Sequence, residues 1–190
     1  MNNELVRTKL VDPYAAERAK LTQRYNSSRA NLLFVVAFSL INLLILIFGG
    51  NSYFLFSACL PYSIGDLAML LCGKYPEEFY VLNGMSDMEF FGNGVFAILV
   101  VAALVGIALY FLAWIFSKKH GIGWMIFSLV MFVLDTVFMF AWYVISADMI
   151  MDIVFHAWVL ISLTMGIVSY FKLKKLPEPQ VVEIDPETEE

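Results

Sequence analysis

Runs of about twenty consecutive apolar residues constrain this chain more than any other feature, because that is the length at which a helix crosses a hydrocarbon core of about 30 Å. Residues 31–50, 94–116 and 124–145 are such runs. A fourth, residues 151–171, is apolar apart from Asp152 and His156 near its start. With 61% hydrophobic and 15% charged residues, the chain has too few charges to cover that much apolar surface in water. In lipid every backbone N–H and C=O must be paired internally, which leaves a helix as the structure such runs adopt. The expected class is an all-α integral membrane protein, a four-helix transmembrane bundle.

A fifth apolar stretch, residues 53–72, is interrupted by Pro61, Gly65 and Asp66. Charge decides how it lies, since Lys and Arg near helix ends are retained in the cytoplasm. With four spans, Arg7, Lys9, Arg18, Lys20, Arg24, Arg29, Lys118, Lys119, Lys172, Lys174 and Lys175 share one side, and only Lys74 lies opposite. A fifth crossing would strand Lys118 and Lys119 opposite one of the basic termini. Residues 53–72 are therefore expected to be re-entrant or interfacial between helices 1 and 2, bent at Pro61 and Gly65, with an outer loop at 73–93.

These boundaries divide the chain into a cytoplasmic basic amphipathic leader (1–30), the bundle (31–171) and a cytoplasmic acidic tail (172–190). Asp12 and Pro13 read as a helix N-cap followed by the first helical residue. The first span follows about thirty polar residues without a cleavage pattern and reads as a signal anchor, placing a multi-pass protein in the cell membrane. The tail, with Pro177, Pro179, Pro186 and six acidic residues from Glu178 to Glu190, is expected to be disordered.

Chemistry should lie with the intramembrane polar groups, because an ionised side chain at mid-bilayer costs about 2.5–3.5 kcal/mol on insertion scales. Asp135 sits inside the third span. Asp148, Asp152 and His156 recur every four residues and share one helix face. A short outer turn makes the third and fourth spans antiparallel neighbours, bringing Asp135 within reach of His156, with Asn42 and Thr136 as further hydrogen-bonding candidates. The leading reading is structural, a non-catalytic accessory or interaction subunit in which Asp135 fixes helix pairing. The alternative is a small proton- or cation-coupled transporter with Asp135 loading the ion and His156 as relay. A third is an intramembrane metal-dependent enzyme using Asp148, Asp152 and His156.

No Gly-rich phosphate loop, nucleophile elbow or His-rich cluster accompanies these residues, so neither a cofactor, a resident metal nor a nucleic-acid partner is expected. The expected partners are the lipid bilayer and a membrane protein or a second copy of the chain. Free buried thiols are the expected state of Cys59 and Cys72, which form a candidate disulfide only if the segment between them doubles back. A straight helix would hold them about 20 Å apart, against the roughly 7 Å that a bridge needs.

The stretches Tyr-Phe-Leu-Phe-Ser-Ala at Tyr53–Ala58 and Cys-Gly-Lys-Tyr-Pro-Glu-Glu at Cys72–Glu78 resemble small polytopic membrane proteins of Gram-positive, Firmicutes-type bacteria. That resemblance covers less than half of the chain and implies no activity. The span count is similar to that of small multidrug transporters, but their first-span carboxylate is absent here, where the polar residue is Asn42.

Overall fold

The computed structural model describes residues 7–50, 53–54, 56–119, 121–143 and 149–184. Four of its helices are long and apolar enough to cross a membrane: α1 (Ala15–Ile47), α4 (Asn93–Phe116), α5 (Ile122–Trp142) and α6 (Ile150–Lys175). Two shorter helices, α2 (Cys59–Leu71) and α3 (Glu77–Leu82), lie between α1 and α4. The protein is a multi-pass membrane bundle whose spans are all helical, as its apolar runs predict.

The leader does not form a separate surface helix. At 33 residues α1 is about 50 Å long, so its first turns continue the first span beyond the apolar layer. Helix starts two residues later than expected: the Asp12 carboxylate accepts from the Tyr14 N–H (3.0 Å) and pairs with Arg18 (3.0 Å). Arg18 in turn donates to the Pro177 carbonyl (2.6 Å), tying the leader to the tail.

The tail departs from expectation. Gln180–Ile184 is a strand, β2, paired antiparallel with β1 (Arg7–Val11), with Arg7 opposite Ile184 and Val11 opposite Gln180. The acidic composition hid a local run of β-branched residues, Val181, Val182 and Ile184, that matches the Thr8-Lys-Leu-Val11 segment. The pairing brings the two ends of the chain to the same side of the bundle.

α1 packs mainly on α6 and α4, and α5 bridges α4 and α6. Tyr25, Leu32, Val35, Tyr110, Met125, Phe132, Phe155, Val159 and Leu163 form the central core. Gly166 lets α1 and α6 approach closely, since a Cβ there would collide with the Ser28 side chain.

The segment after α1 turns back alongside it. Phe54 is held at Asn42 and the Ala58 N–H at the Ser39 hydroxyl (2.8 Å), eight residues before the end of α1 and hence about 12 Å below it. α2 then rises for 13 residues, about 20 Å, too short to cross. Its far end lies against the start of α4, where Lys74 donates to Asn93 (2.8 Å) and the Phe91 N–H to the Leu71 carbonyl (2.9 Å). The hairpin is re-entrant, but its bend is not at Pro61 or Gly65. Pro61 occupies the first turn of α2, where a missing N–H costs nothing, and its ring packs 3.4 Å from the site of a Cβ on Gly106. Gly65 is mid-helix and seats α2 on α1: a Cβ there would lie 2.5 Å from Leu43. Because α2 runs unbroken from Cys59 to its C-cap at Cys72, the candidate disulfide does not form, and both thiols are free and buried.

The outer loop is ordered by Tyr80, whose hydroxyl donates toward the Met69 and Leu70 carbonyls at the end of α2 (3.2 and 3.1 Å). Asp66 accepts a short hydrogen bond from the Tyr75 hydroxyl. Burial first, and then the Asp66 carboxylate, hold the Tyr75 phenol above its usual range.

Candidate functional site

α2 begins in the middle of the bundle with a cap problem. Its N-cap residue, Ala58, has no side chain to meet the free N–H groups of the first turn. Asp135, on α5 and 1% exposed, supplies the acceptors from another helix. Its Oδ1 accepts from the Leu60 N–H (2.7 Å) and its Oδ2 from the Cys59 N–H (3.0 Å). The positive end of the α2 dipole therefore points at a carboxylate, the arrangement that stabilises an anion at a helix start.

His156, on α6, closes the site. Its Nε2 lies 3.1 Å from Asp135 Oδ2, and its Nδ1 lies 2.8 Å from the Asp152 carbonyl oxygen. A carbonyl only accepts, so Nδ1 carries a hydrogen. Nε2 is then the ring nitrogen that faces the carboxylate. Phe132 stacks on the imidazole at 5.0 Å and 28°, and Phe155 meets it edge-on. No buried side-chain nitrogen or oxygen among the described residues lacks a hydrogen-bond partner.

Beside the pair lies a partly open cleft of about 210 Å³, walled by Tyr53, Tyr62 and Tyr143 and reached by Cys59, Asp152 and His156. The Ser63 hydroxyl donates to the Cys59 carbonyl (3.0 Å), so the Tyr143 hydroxyl, 2.9 Å away, is the donor to Ser63. Tyr53 accepts from Ser57 (3.0 Å) and meets Tyr62 edge-on at 5.0 Å. The Asp152 carboxylate accepts no hydrogen bond among the described residues, although its carbonyl orients His156.

The structure thus unites Asp135 with His156 and sets Asp152 next to them, while Asp148 lies outside the described residues. Asp135 is seven residues from the end of α5, about 10 Å deep and shallower than its run of apolar neighbours implies. Asn42 does not reach it. Its Oδ1 accepts from the Phe54 N–H (2.8 Å), and its Nδ2 donates to the Phe54 carbonyl (2.7 Å) and the Ser57 hydroxyl (2.8 Å), mimicking a strand partner for the re-entrant segment. Thr136 donates to its own helix at Phe132 (2.7 Å). Among the described residues no three His, Cys, Asp or Glu side chains gather in a way that would hold a metal ion.

Sequence reading missed a second buried polar cluster at the opposite end of the bundle. Arg29 donates to the Ser117 hydroxyl (2.9 Å) and the Trp114 carbonyl (2.8 Å), and Tyr25 donates to the Ser117 carbonyl (2.8 Å). A guanidinium there meets the negative end of α4. The only sequence signal was an Arg set directly against the first apolar run.

No family model, no curated protein and no solved structure matches this chain.

Proposed function

We propose that this protein is a non-catalytic accessory or interaction subunit of the cell membrane, a rigid scaffold that works by engaging another membrane component. The observation that carries this reading is the use of Asp135. The three hydrogen-bonding contacts of its carboxylate in the described structure are with this chain's own groups, two α2 N–H donors and His156, so a carboxylate that would mark an ion path in other settings here completes the architecture. Arg18, Lys20, Arg24, Arg29, Lys118 and the Lys172–Lys175 cluster on the side of the paired termini support a cytoplasmic location for both ends.

One observation favours a second reading, proton- or cation-coupled transport. The His156–Asp135 pair sits beside a cleft that is partly open and holds the Asp152 carboxylate. Isolation of the tagged protein from native membranes in mild detergent, with mass spectrometry of what accompanies it, tests the first reading. A reproducible equimolar membrane partner is the expected result. A partner-free protein whose reconstituted vesicles pass protons, and stop doing so in His156→Gln with the fold retained, overturns it in favour of transport. Gln at 156 keeps a hydrogen-bond donor toward Asp135 but cannot be protonated.

A further inference from the structure

The cleft beside the Asp135–His156 pair has a composition that a scaffold does not require. Among its described lining residues, His156 already faces Asp135, whereas the Asp152 carboxylate accepts no hydrogen bond from a described residue. No Lys or Arg among the described residues lines the cleft. Asp152 lies in the first turn of α6.

The walls suit a soft cation better than a hard one. Three phenol side chains, Tyr53, Tyr62 and Tyr143, line it from the re-entrant segment, α2 and the end of α5, with Met139 and Met149 beside them as polarisable sulfur. A bare divalent ion would need six or more oxygen donors around it, and one carboxylate with phenols does not provide them. Size sets the other limit. A cleft of about 210 Å³ holds the equivalent of about seven waters and falls below the roughly 300 Å³ at which drug-sized ligands are accommodated. Tyr53, 40% exposed, leaves the cleft open to entry beside it.

We infer that this cleft binds a small organic ammonium ion, with the Asp152 carboxylate as its counter-ion and the Tyr53, Tyr62 and Tyr143 rings as an aromatic cage. Such a ligand bridges the re-entrant hairpin and α6, so occupancy stabilises the packing of one on the other.

Thermal unfolding of the purified protein in dodecyl maltoside, titrated with tetramethylammonium or methylammonium chloride, reads this out. Sodium chloride and tert-butanol at equal concentration serve as the charge-only and shape-only controls. The expected result is a saturable rise in Tm with at least one of the ammonium ions and with neither control. Asp152→Asn should weaken the apparent affinity about tenfold or more. Tyr62→Leu should weaken it about three- to tenfold, whereas Tyr62→Phe, which keeps the ring, should not. Absence of a rise with both ammonium ions, an equal rise with either control, or undiminished binding in Asp152→Asn overturns the inference. Should Asp152→Asn fail to fold, equal binding by the Phe and Leu variants at position 62 overturns it instead.

Discussion

At the scale of single residues, Asp135 stands out because its two oxygens do different work from the one that intramembrane carboxylates suggest. Both accept from backbone N–H groups at the start of α2, and one also faces His156. An amide has a single acceptor oxygen, so Asp135→Asn turns an NH₂ toward one of those N–H donors and leaves it buried without a partner. The expected cost is about 1–3 kcal/mol. Asp135→Leu, which strands both donors and the imidazole, should cost more, and His156→Gln less than either. Unfolding in mixed micelles of dodecyl maltoside and SDS gives that order directly. An Asp135→Asn protein as stable as the parent would show that the carboxylate does not cap α2. The pairing of Asp135 with His156 was legible in the sequence, because a short turn between two apolar runs fixes which faces meet. The capping role was not, since its donors are main-chain groups and carry no residue signature. Asn42 was misplaced for the same reason: an amide in an apolar helix announces that it needs partners but not which ones.

At the scale of elements, the re-entrant hairpin is held by few but specific contacts. Asn42 clamps Phe54 and Ser57, Ser39 caps Ala58, and Gly65 lets α2 settle on Leu43. Charge counting predicts that residues 53–72 do not cross, and the 13-residue α2 is indeed too short to do so, whereas the expected place of the turn is wrong. The expected bend at Pro61 and Gly65 is absent because Pro61 is tolerated in a first turn and Gly65 serves close packing, so the chain reverses before α2 begins at Cys59. If the Asn42 clamp docks this segment, Asn42→Ala should release it without unfolding the four long helices. Cys59, 5% exposed at the buried start of α2, is the natural reporter. In a Cys72→Ser background, its reaction with a small maleimide in detergent should accelerate about tenfold or more in Asn42→Ala, while helical circular dichroism stays unchanged. An unaltered labelling rate would mean that α2 is anchored by its apolar packing and by Asp135 alone.

At the scale of the whole molecule, the pairing of β1 with β2 and an even number of spans demand the same thing, that both ends of the chain lie on one side of the membrane. The two arguments are independent, one resting on backbone hydrogen bonds outside the apolar layer and the other on helix lengths. The basic residues gathered there, against Lys74 opposite, lead to the expectation that this side is the cytoplasmic one. Single cysteines introduced as Asn3→Cys, Ser86→Cys and Thr188→Cys, in a Cys59→Ser, Cys72→Ser background, separate the two conclusions. In intact cells a membrane-impermeant maleimide should label position 86 alone, and positions 3 and 188 should react only after the membrane is opened. Labelling of 3 and 188 together from outside, with 86 protected, would keep the fold and invert its orientation. Labelling of one terminus but not the other would contradict the fold itself, because it requires an odd number of crossings. That in turn requires the 13-residue α2, about 20 Å long, to span a core of about 30 Å, and pulls the start of α2 away from the carboxylate that caps it.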